Sequence, residues 1–243
     1  MAAPTPELIL YDLASTQGVC FSPAVWRIRL LLNYKSIPYT TTFLEFPDIA
    51  PTLSALNIPP HDATTSKHPY TVPAIHHLPT NTFVMDSLAI AAFIEKTYPV
   101  PEVVLTSDLG AQIEEKARKV VGPAFYVSLV PREIRILSPR SQEYFRRTRE
   151  AALGHPLEDL LAREDAAWEA IGDEARAAGA LMRTHKESGP FVLGEKPCFT
   201  DFFIAGALQN ARVVDVGVWE RCMRVEGFRE VYEACEEWMG KKD

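Results

Sequence analysis

Tyr70-Thr71-Val72-Pro73, followed thirteen residues after the proline by Asp86-Ser87, is the stretch that decides the fold. It reads as a short strand ending in a special proline, then a hairpin, then a second strand that runs into a helix start. Val72 to Leu78 and Thr82 to Met85 form the hairpin across Pro79-Thr80-Asn81, and Leu88 to Tyr98 form the helix. A cis proline leaves the main chain of the residue before it unpaired and facing a ligand. A helix start offers free N–H groups and the positive end of the helix dipole to a carboxylate. Val72-Pro73 is therefore expected to be cis. Val72 is expected to pair with the main chain of a peptide ligand, while Asp86 and Ser87 hold its charged end. Each piece alone has an ordinary meaning, because most X-Pro bonds are trans and Asp-Ser is a common helix cap. Their order and spacing carry the reading.

The residues upstream continue the pattern. Leu8-Ile9-Leu10-Tyr11 is a short apolar run that reads as a buried strand. Ser22-Pro23 opens a helix, with serine as N-cap and proline at the first helical position. Trp26, Ile28, Leu30, Leu31 and Leu32 give that helix its apolar face, and it ends near Lys35. Tyr39 to Phe46, rich in threonine and aromatics, reads as a strand. Pro47, Pro51, Pro59, Pro60 and Pro69 leave room for only a short broken helix around Thr52 to Leu56. The order is β-α-β-α-β-β-α.

Beyond Pro99 and Pro101 the grammar changes. Gln112–Val121, Ser141–Leu153, Pro156–Met182, Cys198–Ala211, Val214–Arg221 and Phe228–Met239 all read as helical, with Pro123 and Pro131 breaking or kinking the chain between the first two. No strand pair is expected there. Only 7 of the 32 acidic and 5 of the 25 basic residues lie in the first 98 positions, so the second part has the solvated faces of amphipathic helices. Residues 1–98 are expected to form an α/β domain and residues 107–243 an all-α one.

Composition narrows the function classes. The 243 residues are 47% hydrophobic, enough for a true core. A net charge of −7 without a basic block disfavours nucleic acid. The first residues, Met1 to Pro6, have neither a basic start nor an apolar segment, so no signal peptide is expected. No apolar run reaches spanning length. Cys20, Cys198, Cys222 and Cys235 show no C-x-x-C and no zinc spacing. They read as reduced thiols of a cytoplasmic protein, and no metal site is expected.

With these residues in hand, the chain resembles a cytosolic glutathione transferase, and within that superfamily the fungal etherase-related class, which is similar to bacterial β-etherases. The likeness is carried by Ser22-Pro23, Trp26-Arg27, Leu32-Asn33-Tyr34-Lys35, Pro47-Asp48-Ile49, the Val72-Pro73 segment, Asp86-Ser87-Leu88-Ala89-Ile90-Ala91, Tyr144 to Glu150, and Gly194 to Asp201. Two departures stand out. Ala24 occupies a position where that class often has asparagine, and Cys198 stands where a serine or threonine usually caps a helix.

The resemblance implies a thioredoxin-like first domain that binds glutathione and a helical second domain that supplies the second-substrate pocket. It implies a homodimer in which the first domain of one subunit pairs with the second of another. Ser22 would stabilise the glutathione thiolate by its hydroxyl at a helix N-terminus; its plain role is to cap that helix. Val72 and Pro73 would present the main chain that pairs with the cysteinyl unit, Asp86 would neutralise the α-ammonium group, and Ser87 would take the γ-glutamyl carboxylate. Cys20 is a rival nucleophile, though a buried thiol is the plainer reading, and Tyr11 reads as a core residue. His61, Lys67 and His68 are candidates for the glycine carboxylate. Phe125, Tyr126 and Trp168 are candidates for the wall of a hydrophobic small-molecule pocket, while the charged run from Tyr144 to Glu150 reads as a solvated or interface face. The implied activity is attack of the glutathione thiolate on an apolar electrophile. The same site would serve a glutathione-dependent double-bond isomerase or ether-cleaving enzyme of secondary metabolism, or a binding protein that has lost turnover.

Overall fold

A computed structural model describes residues 5–64 and 66–240. Met1–Pro4, part of the stretch read above for targeting, lie outside the described residues. Four strands, β1 (Leu8–Leu13), β2 (Tyr39–Leu44), β3 (Ala74–His77) and β4 (Thr82–Met85), form one mixed sheet in the order β2-β1-β3-β4. β1 runs parallel to β2, with Leu8 opposite Tyr39, and antiparallel to β3, with Leu8 opposite His77. The parallel pair needs a crossover, and α1 (Pro23–Tyr34) provides it. α2 (Ile49–Ala55) follows β2, and α3 (Ser87–Thr97) follows β4.

The alternation along β1 decides what covers each face. Leu8 and Leu10 join Val25, Leu30, Ile90 and Ile94 on the side of α1 and α3, whereas Tyr11 joins Leu44 and Leu53 on the side of α2. Across β1 and α1, Arg29 donates to Asp12 Oδ2 from Nε at 3.1 Å and Nη2 at 2.9 Å, both side chains being fully buried. The pair fixes α1 against the sheet, and Ser22 stands at the start of α1.

The rest is helical: α4 (Asp108–Lys116), α5 (Gly122–Glu133), α6 (Pro139–Leu153), α7 (Glu164–Ala170), α8 (Gly172–Met182), α9 (Phe199–Val214), α10 (Val216–Met223) and α11 (Glu226–Cys235). Among the described residues, strand-like pairing in this part is confined to an isolated bridge between Phe191 and Gly194. α9 lies along α1. A Cβ on Gly206 would come 3.0 Å from Pro23 O and 3.1 Å from Arg27 N, so glycine is what lets the two helices approach. One apolar cluster spans the contact, with Val25 and Trp26 from α1 and Phe199, Phe202 and Ala205 from α9. The thioredoxin-like and helical units therefore share a core.

Three expectations are corrected. Pro123 and Pro131 do not break the chain, because α5 contains both. A proline ring clashes with the carbonyl four residues back, and for Pro123 that carbonyl lies in a π-type turn at Ala117–Val121, which widens the helix there. Pro131 sits in the last turn, before a 3-10 turn at Ile134–Ile136. The expected helix Pro156–Met182 is instead a 3-10 stretch, Leu157–Arg163, followed by α7 and α8 with a break at Ile171. Finally, the weak cap at Cys198 is made good by Asp201, whose carboxylate accepts from Cys198 N at 2.8 Å and Val192 N at 2.9 Å.

Candidate functional site

The loop before α1 is held from three directions. Thr16 N donates to Ile136 O at 2.8 Å, the Trp26 indole donates to Cys20 O at 3.0 Å, and Asn210 of α9 donates to Phe21 O at 2.8 Å. These bonds fix Ser22, which is 6% exposed. Its hydroxyl accepts from Val25 N at 3.5 Å, the long limit of a cap bond. The O–H is thus free to donate elsewhere, at the N-terminus of a twelve-residue helix. Cys20 is fully buried, and burial, with Asp12 beside it, pushes its thiol well up, so it stays protonated. Tyr11 is buried in the core and is likewise pushed up by burial.

Val72-Pro73 is cis. β3 begins at Ala74, and among the described residues neither the N–H nor the C=O of Val72 has a hydrogen-bond partner in the protein. Both groups are open to pair with an extended chain. The start of α3 is tied to the same loop, since Asp86 N donates to Pro73 O at 3.3 Å. Asp86 adopts φ +85°, a conformation seldom taken by residues with a side chain. Its Oδ1 accepts from Leu88 N at 2.9 Å and Ala89 N at 3.3 Å, which leaves Oδ2 for a ligand. The Ser87 hydroxyl and N–H make no bond within the described residues. Asp86 and Ser87 together offer an acceptor for an ammonium group and two donors for a carboxylate.

Ser22 and Val72 line one cavity of about 230 Å³. Its other walls come from Leu13, Phe46, Pro47, Ile49, Tyr144 and Arg149. Ser87 lines a separate cavity of about 150 Å³ with Ala24, Arg27 and Arg118. Ala24 thus faces away from the Ser22 cavity. Among the histidines and lysine considered for the glycine carboxylate, His68 lines the Ser22 cavity, and His61 is bonded to Thr71 Oγ1 at 2.8 Å. Lys67 is exposed and lines none of these cavities.

The three aromatic residues considered for a second-substrate wall do not line the Ser22 cavity. Trp168 lines a larger cavity of about 470 Å³ and Phe125 one of about 130 Å³, neither of which includes Ser22 or Val72. Tyr126 is 42% exposed. Phe46 and Tyr144, with rings 6.5 Å apart and nearly parallel, line the Ser22 cavity. Tyr144 and Arg149, both partly buried, thus take the interface rather than the solvated reading of the charged run. The missed signal was a tether. Ser138 and Ser141, at the start of α6, both donate to Glu45, the Ser141 hydroxyl accepts from Phe46 N at 3.1 Å, and Arg140 forks onto Asp48. This brings α6 over the β2–α2 loop. Glu133, at the end of α5, lies near Arg149. Burial pushes its carboxyl up to about 7, with Arg149 and Asn210 pulling the other way.

Among the described residues no group of His, Cys, Asp or Glu is placed to hold a metal ion, and no helix is long and apolar enough to cross a membrane. A thioredoxin-like sheet whose cis proline faces the start of α3, packed against an all-helical unit, defines a two-unit class of protein. The family model described as the glutathione S-transferase N-terminal domain matches residues 21–97, and the one for the C-terminal domain matches residues 109–238. The chain is 34% identical, over 96% of its length and 91% of the relative's, to a glutathione S-transferase-like protein, ustS, of Aspergillus flavus. It belongs to the glutathione S-transferase family. A glutathione S-transferase of Ceriporiopsis subvermispora, solved in complex with glutathione, superposes with a TM-score of 0.82 at 29% identity, covering 97% of this chain and 99% of that one. Glutathione transferase GSTFuA3 of Phanerochaete chrysosporium gives 0.82 at 27% identity, covering 98% and 99%.

Proposed function

We propose that this protein is a glutathione transferase that activates the glutathione thiol for attack on an apolar electrophile. The observation that carries the reading is the convergence on one cavity of the open Val72 main chain and the Ser22 hydroxyl at the start of α1. Glutathione supplies the thiol, which in free form has a pKa near 8.5. Val72 pairs with the cysteinyl unit, and cis Pro73 keeps that edge open. Asp86 Oδ2 takes the α-ammonium group, and the Ser87 hydroxyl and N–H take the γ-glutamyl carboxylate. Ser22 then donates to the thiolate, and the helix end adds its dipole. Leu13, Phe46, Ile49 and Tyr144 receive the electrophile out of water.

Residues 1–98 form the glutathione-binding unit in this reading, and residues 107–243 contribute the rest of the pocket. Isomerisation and ether cleavage, as in secondary metabolism, use the same thiolate and differ in what leaves. The protein works in the cytoplasm as a homodimer, for which Leu88 on α3 and Tyr126 on α5 supply exposed apolar surface. The test is a titration with glutathione, followed by thiolate absorbance in the ultraviolet and by turnover of a chromogenic electrophile. Saturable binding with a thiol pKa below the free value is expected. Binding without turnover across a broad electrophile panel would leave only a carrier.

A further inference from the structure

Arg149 differs in its setting from the other arginines of α6, of which Arg147 is exposed with its guanidinium over the Tyr144 ring. Arg140 is forked onto Asp48, and Arg146 is held between Glu150 at 2.6 Å and Glu158 at 2.7 Å. Arg149 is half-buried and lines the Ser22 cavity, yet among the described residues it makes no hydrogen bond and no ion pair. Its guanidinium carbon lies 4.9 Å from the centre of the Phe145 ring and 6.0 Å from that of Phe46. Ring stacking offsets part of the desolvation of a guanidinium but satisfies none of its five N–H donors.

We propose that Arg149 anchors an anionic group of the second substrate, so that the cavity takes flat aromatic electrophiles bearing a carboxylate. The walls fit that class. Phe46 and Tyr144 present near-parallel rings, and Leu13, Pro47 and Ile49 are apolar. A guanidinium fork matches a carboxylate bidentately, which gives direction as well as attraction. The nearby carboxyl of Glu133 is drawn toward ionisation by Arg149 and held up to about 7 by burial, so near neutrality it is partly charged, and among the described residues it makes no ion pair with the arginine. This substrate class rests on the glutathione reading above. Glutathione has carboxylates of its own, and the test separates them from the second substrate's.

The experiment is titration calorimetry of the wild-type protein, Arg149→Met and Arg149→Lys with three probes: glutathione, S-benzylglutathione and its para-carboxybenzyl counterpart. Methionine keeps the apolar stem, and lysine keeps the charge without the fork. The wild type is expected to bind a carboxybenzyl conjugate about tenfold or more tightly than the benzyl one, as a charge-assisted contact would give. Arg149→Met is expected to lose that preference, and Arg149→Lys to keep part of it. Equal binding of the two conjugates by the wild type, or a preference that survives in Arg149→Met, overturns the proposal. So does a tenfold loss of affinity for glutathione itself in Arg149→Met, which would assign the arginine to the peptide. If the wild type binds none of the three probes, the glutathione reading fails, and the substrate class falls with it.

Discussion

At the scale of single residues, the geometry of Ser22 separates two roles that coincide in the sequence. Its cap bond to Val25 is at the long limit, and Pro23 at the first helical position needs no N–H acceptor. Ser22→Ala should therefore change stability by less than about 1 kcal/mol. Turnover should drop about ten- to a hundredfold, the worth of one charge-assisted hydrogen bond, while the bound thiol pKa rises toward its free value. Unchanged turnover and thiol pKa would reduce Ser22 to a helix cap. Glu133 gives a second prediction. Its carboxyl titrates near 7 in the folded chain because of burial and near 4.5 when unfolded. Between those values the unfolded chain gives up a proton that the folded chain keeps, so stability falls as pH rises, and the loss stays constant above about 7. Relative to wild type, Glu133→Gln should gain on the order of 1–3 kcal/mol at pH 8 and nothing at pH 4. Urea denaturation at the two pH values measures this; an identical offset at both would exclude a raised carboxyl.

At the scale of elements, the approach of α9 to α1 places the start of the helix that carries Ser22. Gly206→Ala adds a methyl group against Pro23 O, Arg27 N and the Trp26 Cβ, two of which are backbone atoms that cannot turn aside. Helix propensity gains about 1 kcal/mol from the change, and overpacking costs about 1–3 kcal/mol. A net loss of stability is expected by thermal melting, with a fall in kcat as Ser22 shifts. A variant melting at or above the wild-type temperature would show that the two helices part freely. The elements of the first unit were legible in the sequence because local signals agree there: the short apolar run at β1, the threonine- and aromatic-rich run at β2, Ser22-Pro23 at α1, and Asp86-Ser87 at α3. The second unit was harder. A π-type turn that accommodates Pro123 leaves no mark in an apolar pattern, and the break at Ile171 falls within a run of helix-favouring residues.

At the scale of the molecule, the groups proposed to hold glutathione were legible because each belongs to a local motif. The opposite wall was not, because it depends on which helix the β2–α2 loop meets. Phe125 and Trp168 have the composition of a pocket and line other cavities, whereas Tyr144 and Arg149 sit in a charged run and line the Ser22 cavity. What joins the walls is the Arg140–Asp48 fork together with the Glu45 contacts of Ser138 and Ser141. The arginine of that fork is 61% exposed and its aspartate 36%, so salt screens the pair. We propose that a bulky conjugate leaves past this latch. If release limits the cycle, residence time becomes a function of ionic strength: kcat should rise with added salt and with Arg140→Gln, and the two effects should not add. The latch then works as a timer, setting how long a finished product is kept from the next molecule of glutathione.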